Sequence, residues 1–208
     1  MRPAATIHCP DFPCEDTRRA SYLIPDLDLD ASHVRIMLIS ESSPEKLTDH
    51  YYAGPTSLFA QTTLLAFQEA GAAVRSLPEI TELGVYLTTA VKCAKTGYAI
   101  TTASIEHCSH LLEKEIALFP NVQVFLLMGD VAIKAVNIIA RRNKEARVIP
   151  AGATYKLRGG EYHFRGRRAL PSYVQAGPAF FVEKSKRRMI AEDIRTALEI
   201  IQRADHER

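Results

Sequence analysis

The stretch Val85 to Leu112, VYLTTAVKCAKTGYAITTASIEHCSHLL, decides how this chain folds. It opens as an apolar, β-branched run, crosses a polar loop and ends in a helical pattern. Cys93 follows the strand directly, and Cys108 lies inside the helix. The other two cysteines, Cys9 and Cys14, stand near the N-terminus in CPDFPC. Two pairs so far apart in sequence need a common ligand or a common core. Spacing alone leaves three readings open. Four thiolates can hold an iron–sulfur cluster, they can hold zinc, or they can be buried thiols, since free Cys is among the most buried residue types.

Working outward, residues 83 to 91 read as a strand and residues 103 to 118 as a helix stopped by Pro120. VQVFLLM, 122 to 128, is the clearest buried strand, and Gly129-Asp130 opens a helix to about Ala140. Upstream, VRIMLI, 34 to 39, is another short buried strand. It leads into Ser40-Glu41-Ser42-Ser43-Pro44, and a helical stripe then runs from Leu58 to Gly71. Strands alternating with helices predict an α/β fold, a three-layer α/β/α sandwich around a short, mostly parallel central sheet. The loops at the carboxyl edge of such a sheet are where ligands bind.

The ends are less regular. Pro3, Pro10, Pro13 and Pro25 mark residues 1 to 33 as an irregular arm that packs back onto the body. Residues 141 to 168 are basic, with Tyr155, Tyr162, His163 and Phe164 interleaved, and a short hairpin is expected around Gly159-Gly160. The segment LPSYVQAGPAFF reads as a loop before KSKRRM and a last helix to about Arg203.

With 208 residues, 47% of them hydrophobic, the chain suits one domain, 1 to 208. No apolar run approaches the ~18–20 residues that span a bilayer, and the N-terminus has no apolar signal region. The expected place is the cytoplasm, at the nucleoid, where paired cysteines bind metal more often than they form disulfides. A formal charge of +2 neither demands nor excludes a nucleic-acid partner.

The order of these motifs resembles the iron–sulfur, family 4 uracil-DNA glycosylases. The resemblance rests on VYLTTAVKC followed by a helix bearing Cys108, on VFLLMGDVAIKAV, and on LPSYVQAGPAFF…KSKRRMIAEDI. It implies a monomeric base-excision repair enzyme that binds DNA, extrudes a deaminated base and hydrolyses its N-glycosidic bond. It implies a structural [4Fe–4S] cluster on Cys9, Cys14, Cys93 and Cys108, although the family's N-terminal pair is usually the tighter CxxC.

By the same resemblance Glu41 would position the attacking water, with Ser40 and Ser42 beside it where the family has a glycine-rich form. Tyr51 would stack on the base. Thr89 stands where the family has an Asn that reads the base edge, and Leu170-Pro171-Ser172 stands where it has His-Pro-Ser. Leu170 cannot hydrogen-bond a leaving base, and Gln175 is the nearest substitute. Ser172, Arg165, Arg167, Arg168, Lys184 and Lys186 are the expected DNA contacts. These departures imply weak or altered base excision. A non-catalytic DNA- or partner-binding protein of the same fold is the alternative.

Overall fold

A computed structural model describes residues 1 to 206. The elements in order are β1 (Thr17–Arg18), β2 (Ile36–Ser42), α1 (Leu58–Glu69), α2 (Leu77–Glu82), β3 (Val85–Val91), β4 (Ala94–Lys95), α3 (Thr102–Ala117), β5 (Val124–Met128), α4 (Asp130–Arg142), α5 (Thr154–Leu157), β6 (Tyr162–Phe164), β7 (Arg167–Ser172), α6 (Ala179–Val182) and α7 (Lys184–His206). The main sheet has five strands in the order β3-β2-β5-β7-β6. Only the β6–β7 pair is antiparallel. Local chemistry sets the helix starts. Ser57 and Thr101 accept hydrogen bonds from the Ala60 and Ser104 amides (3.2 and 3.3 Å), satisfying donors that the first turns of α1 and α3 leave open.

The pleat sorts β2 onto two faces. Met37 and Ile39 meet Leu112 and Ile116 of α3 and Val136 and Ile139 of α4. Ile36 and Leu38 meet Phe67 of α1 and Ile190 and Ile194 of α7. Helices therefore cover both faces, and the expected α/β/α layering is the one observed.

Two details differ from the sequence reading. The hairpin turns at Arg165-Gly166, where φ is 52° and 74°, not at Gly159-Gly160. β7 occupies part of the stretch read as a loop. Pro171 is tolerated there because β6 pairs with β7 only as far as Ala169. Beyond that point one side of the strand needs no amide donor.

The arm is held by hydrogen bonds as well as packing. Leu23 N donates to Lys92 O (2.8 Å), Ala94 N donates to Ser21 Oγ (2.7 Å), and β1 pairs with β4. Among the described residues no helix is long and apolar enough to cross a membrane.

Candidate active site

Glu41 sits near the end of β2, at the carboxyl edge of the sheet. Its Oε1 faces the first turn of α4 and lies 3.5 Å from Val131 N. Gly129 makes this approach possible. Its φ is +101°, and a Cβ there would stand 2.5 Å from Val174 Cγ2 and 2.7 Å from Glu41 Oε1. Burial pushes the Glu41 carboxyl above its ordinary value, against the Val131 amide and the nearby Lys95 charge, which favour the anion. The partial positive charge of the helix N-terminus acts in the same sense as those two.

A cleft of about 290 Å³ opens at this carboxylate, close to the ~300 Å³ at which small-ligand pockets begin. Asp130, Tyr173, Val174, Phe180 and Lys186 also line it. A larger cavity, about 1030 Å³, lies between the arm, α1 and α2, but it does not include Glu41. Its walls are mainly apolar, whereas the smaller cleft holds the Glu41 carboxylate. The sequence reading took the loop from Leu170 to Gln175 as a pocket wall, which includes Tyr173 and Val174, but it missed Phe180. The aromatic residues of LPSYVQAGPAFF, just after a strand end, were the available signal.

The other face of the same edge holds three expected residues together. Ser40 Oγ donates to Gln175 Oε1 (3.2 Å), Gln175 Nε2 donates to Tyr51 OH (2.9 Å), and the Tyr51 and Ser40 hydroxyls bond each other. The three groups close a ring of donors. Tyr51 is fully buried, with the His50 and Phe59 rings each 5.2 Å from its own. In this conformation it offers no free face for stacking. Thr89 pairs with Ser40 across β2 and β3. Its hydroxyl is buried with no hydrogen-bond partner. Both ring nitrogens of buried His50 are in the same condition. Ser42 is half-buried and pairs with Val91.

Other expected site residues are placed elsewhere. Leu170 packs in the apolar cluster on the α7 face, and so lines no polar pocket. Ser172 is fully buried and donates to Asp193 Oδ2 (2.6 Å), so it is not available to DNA. Arg168 pairs with Val124 at the amino edge of the sheet, whereas Ser172 pairs with Met128 at the carboxyl edge. That separates Arg165, Arg167 and Arg168 from Glu41 by a strand length, roughly 13 Å at ~3.3 Å per residue. Arg165 is also paired with Glu113 and Glu145. Lys186 remains at the cleft, beside the Tyr173 ring and paired with Glu183, and Lys184 begins α7 nearby.

The four cysteines line a single small pocket with Phe12, Thr17, Arg19, Tyr22 and Leu111. None is in a disulfide. Burial, reinforced by the neighbouring thiols of Cys108, Cys9 and Cys14, pushes the Cys93 thiol up to about 12. Among the described residues, no three His, Cys, Asp or Glu side chains gather closely enough to hold one metal ion. Four thiols on one pocket are a donor set that a zinc ion or an iron–sulfur cluster can take. Next to this pocket, a fully buried Lys92–Glu115 ion pair went unnoticed in the sequence. Lys92 beside Cys93, and Glu115 on the apolar face of α3, were its signals.

A three-layer sandwich with a half-buried carboxylate at a helix N-terminus, facing a small cleft, is the architecture of an α/β protein that works at the carboxyl edge of its sheet. The chain belongs to the uracil DNA glycosylase superfamily, whose family model matches residues 28 to 192. It is similar to the Type-5 uracil-DNA glycosylase of Thermus thermophilus, with 35% identity over 94 residues. That match spans 45% of this chain and 43% of the relative, so under half of the relative's length is represented. A wild-type UNG crystal structure from Nitratifractor salsuginis aligns over 86% of this chain and 81% of its own, at 14% identity and a TM-score of 0.37. That likeness is too loose to add to the fold described above.

Proposed function

We propose that the protein is a DNA glycosylase of base-excision repair that hydrolyses the N-glycosidic bond of uracil or another deaminated base. The observation that carries this reading is Glu41, half-buried at the N-terminus of α4 and open to a cleft of about 290 Å³. Cleavage builds positive charge on the sugar, and a carboxylate at that point stabilises it and orients the attacking water. Glu41 acts as the anion, with the Val131 amide and the α4 N-terminus fixing its direction. Base flipping requires a pocket for the extruded nucleotide, and Tyr173, Val174 and Phe180 give the cleft apolar and aromatic walls. Gln175, which bonds Ser40 and Tyr51, is the polar side chain of this loop that would serve in place of the histidine absent at Leu170. The protein acts as a monomer on DNA, and Lys184 and Lys186 serve the backbone.

Cys9, Cys14, Cys93 and Cys108 would hold a [4Fe–4S] cluster. Its contribution would be structural, tying the arm to the end of β3 and to α3. Their shared pocket supports this. Freshly purified protein is expected to be brown, with iron and sulfide, and Cys93→Ser to lose both. A colourless protein containing zinc overturns the cluster.

The function is tested by base release from oligonucleotides carrying uracil, hypoxanthine or xanthine, followed by alkaline cleavage at the abasic site. Glu41→Gln should lower release ~10²–10³-fold, the effect of removing one such group. Release should rise with pH through a carboxyl value above 4.5, because only the anion works and burial raises the value. Removing this half-buried charge should leave stability at neutral pH unchanged or higher. A rate unaffected by Glu41→Gln sinks the mechanism. Leu170, apolar where a donor to the leaving base is expected, favours one second reading, a non-catalytic DNA-binding protein. No release from any of the three bases by cluster-loaded protein would select it.

A further inference from the structure

We propose that the loop from Lys95 to Tyr98 is a DNA-contacting element, in which the Tyr98 ring stacks on a base exposed at the mouth of the Glu41 cleft while Lys95 faces the backbone. This rests on the reading of the site as DNA-acting. Tyr98 is 98% exposed, more than any other large apolar side chain described. A single exposed ring is unremarkable by itself. This one is held in place. Lys95 Nζ donates to Tyr98 O (2.9 Å) and lies 5.8 Å from the ring centre.

The base of the loop is fixed as well. Lys95 pairs with Thr17, and Thr96 N donates to Asp16 O (2.9 Å). Asp16 also accepts from Thr101 N (2.6 Å) and from the Ser104 hydroxyl at the start of α3. One aspartate thus closes both ends of the loop, which reduces the ordering cost of any contact its tip makes.

The loop leaves the sheet at the same edge as Glu41. Ser43, two residues past Glu41, donates from its amide to Val91 O (3.1 Å) and from its hydroxyl to Lys92 O (2.9 Å). Arg18 of β1 bridges to Glu45 at 2.9 Å. The Glu41 loop, the arm and the Lys95–Tyr98 loop are therefore fastened together at one rim. The Lys95 charge reaches Glu41, where it opposes the effect of burial.

The chemistry of the tip selects the partner class. Residues 95 to 99 are all exposed and contain one aromatic ring, one cation and no apolar patch. A protein partner would need an apolar area around the ring. A nucleic acid needs a ring face for a base and a cation for phosphate. Extruding a nucleotide also leaves unstacked neighbours.

The test is fluorescence anisotropy on a duplex carrying a stable abasic-site analogue, with 2-aminopurine beside it as a stacking reporter. Unmodified protein, Tyr98→Phe and Tyr98→Ala are compared at one fixed salt concentration. Tyr98→Ala should weaken binding about tenfold, within the range of one stacked base, and should lose the change in 2-aminopurine emission. Tyr98→Phe should retain both. The urea midpoint should be the same for all three, since the ring packs on little. Equal binding and equal emission for Tyr98→Ala overturn the proposal, even if base release is robust. Weakened binding by Tyr98→Ala upholds it, even if no base is ever released and the glycosylase reading falls. Failure of the unmodified protein to bind this DNA overturns it.

Discussion

Two buried polar clusters flank the carboxyl edge of the sheet, one on each face, and they are finished differently. On the α3 face Lys92 donates to Thr88 Oγ1 (2.9 Å), to Thr89 O and to Glu115, while Tyr86 and Thr88 also donate to Glu115. Every charge and hydroxyl there is paired, at zero exposure for Lys92 and Glu115. On the α1 face the Ser40–Tyr51–Gln175 ring is closed, but the Thr89 hydroxyl and both His50 nitrogens beside it are not paired. Buried polar groups are nearly always satisfied, so unpaired ones call for a reason. The paired cluster joins the two elements that carry Cys93 and Cys108. The unpaired one lies at the end of β3 where the base-reading residue was expected. Under the function proposed above, the difference would separate a group that holds the fold from groups left for a base.

The sharpest test of this contrast is Lys92→Met. Removing one partner leaves Glu115 buried without its counter-charge, held only by Tyr86 and Thr88, at an expected ~3–5 kcal/mol. Urea unfolding should show it. The double replacement Lys92→Met with Glu115→Leu should lose less than the single one, because no charge is then stranded. A single variant within about 1 kcal/mol of the unmodified protein would mean that the pair holds little and that the contrast is wrong.

His50 breaks the comparison from the other side. Burial, aided by the Lys92 charge, lowers its imidazole from 6.5 to about 3. The folded state therefore binds fewer protons than the unfolded state between these values. Stability is fully present above pH 6.5 and is lost as pH falls toward 3. At 1.36 kcal/mol per unit, the loss from this group between pH 7.5 and 5 is about 2 kcal/mol. His50→Phe should flatten that limb and be neutral or slightly stabilising at pH 7.5, since it removes an unpaired donor. Glu41 and Asp193, whose carboxyls burial raises, oppose the limb, because protonation favours them in the fold. An unchanged acid limb in His50→Phe would show that the imidazole is solvated after all.

How far these clusters could be read in the sequence depended on periodicity. The strands VRIMLI, LGVYLTTAV and VQVFLLM announce themselves because they are buried on both faces and need unbroken apolar runs. The layering follows from their alternation with helices. β7 was hidden because Arg167, Arg168 and Pro171 break that signature, and only pairing with β5 makes it a strand. Glu41 was legible as a lone acid after a strand, and Ser40, Tyr51 and Gln175 as polar residues in edge loops. Their ring was not, because its members are 11 and 124 residues apart. The pairing of the basic run was hidden for a related reason. Composition counts Arg165 and Arg168 as free cations, whereas folding brings Glu113, Glu145 and Glu161 to them. The cysteines were legible as two pairs, and their shared pocket is a tertiary fact.

Thr89→Val is the smallest change and the most discriminating one. It keeps the branched shape and deletes a hydroxyl that bonds to nothing. Its backbone carbonyl still accepts from Lys92, so the α3 cluster is untouched. Losing an unpaired buried hydroxyl should change stability by at most about 1 kcal/mol, in the stabilising direction. A hydroxyl with a structural partner would cost about that much in the opposite direction. If the group instead contacts a base, the stability gain must come with altered release among uracil, hypoxanthine and xanthine. Stability and base preference then move independently, as they should at a position kept for a ligand. Loss of stability without a change in preference would assign Thr89 to the structural cluster and leave His50 as the sole unpaired side chain on the α1 face of this edge among the described residues.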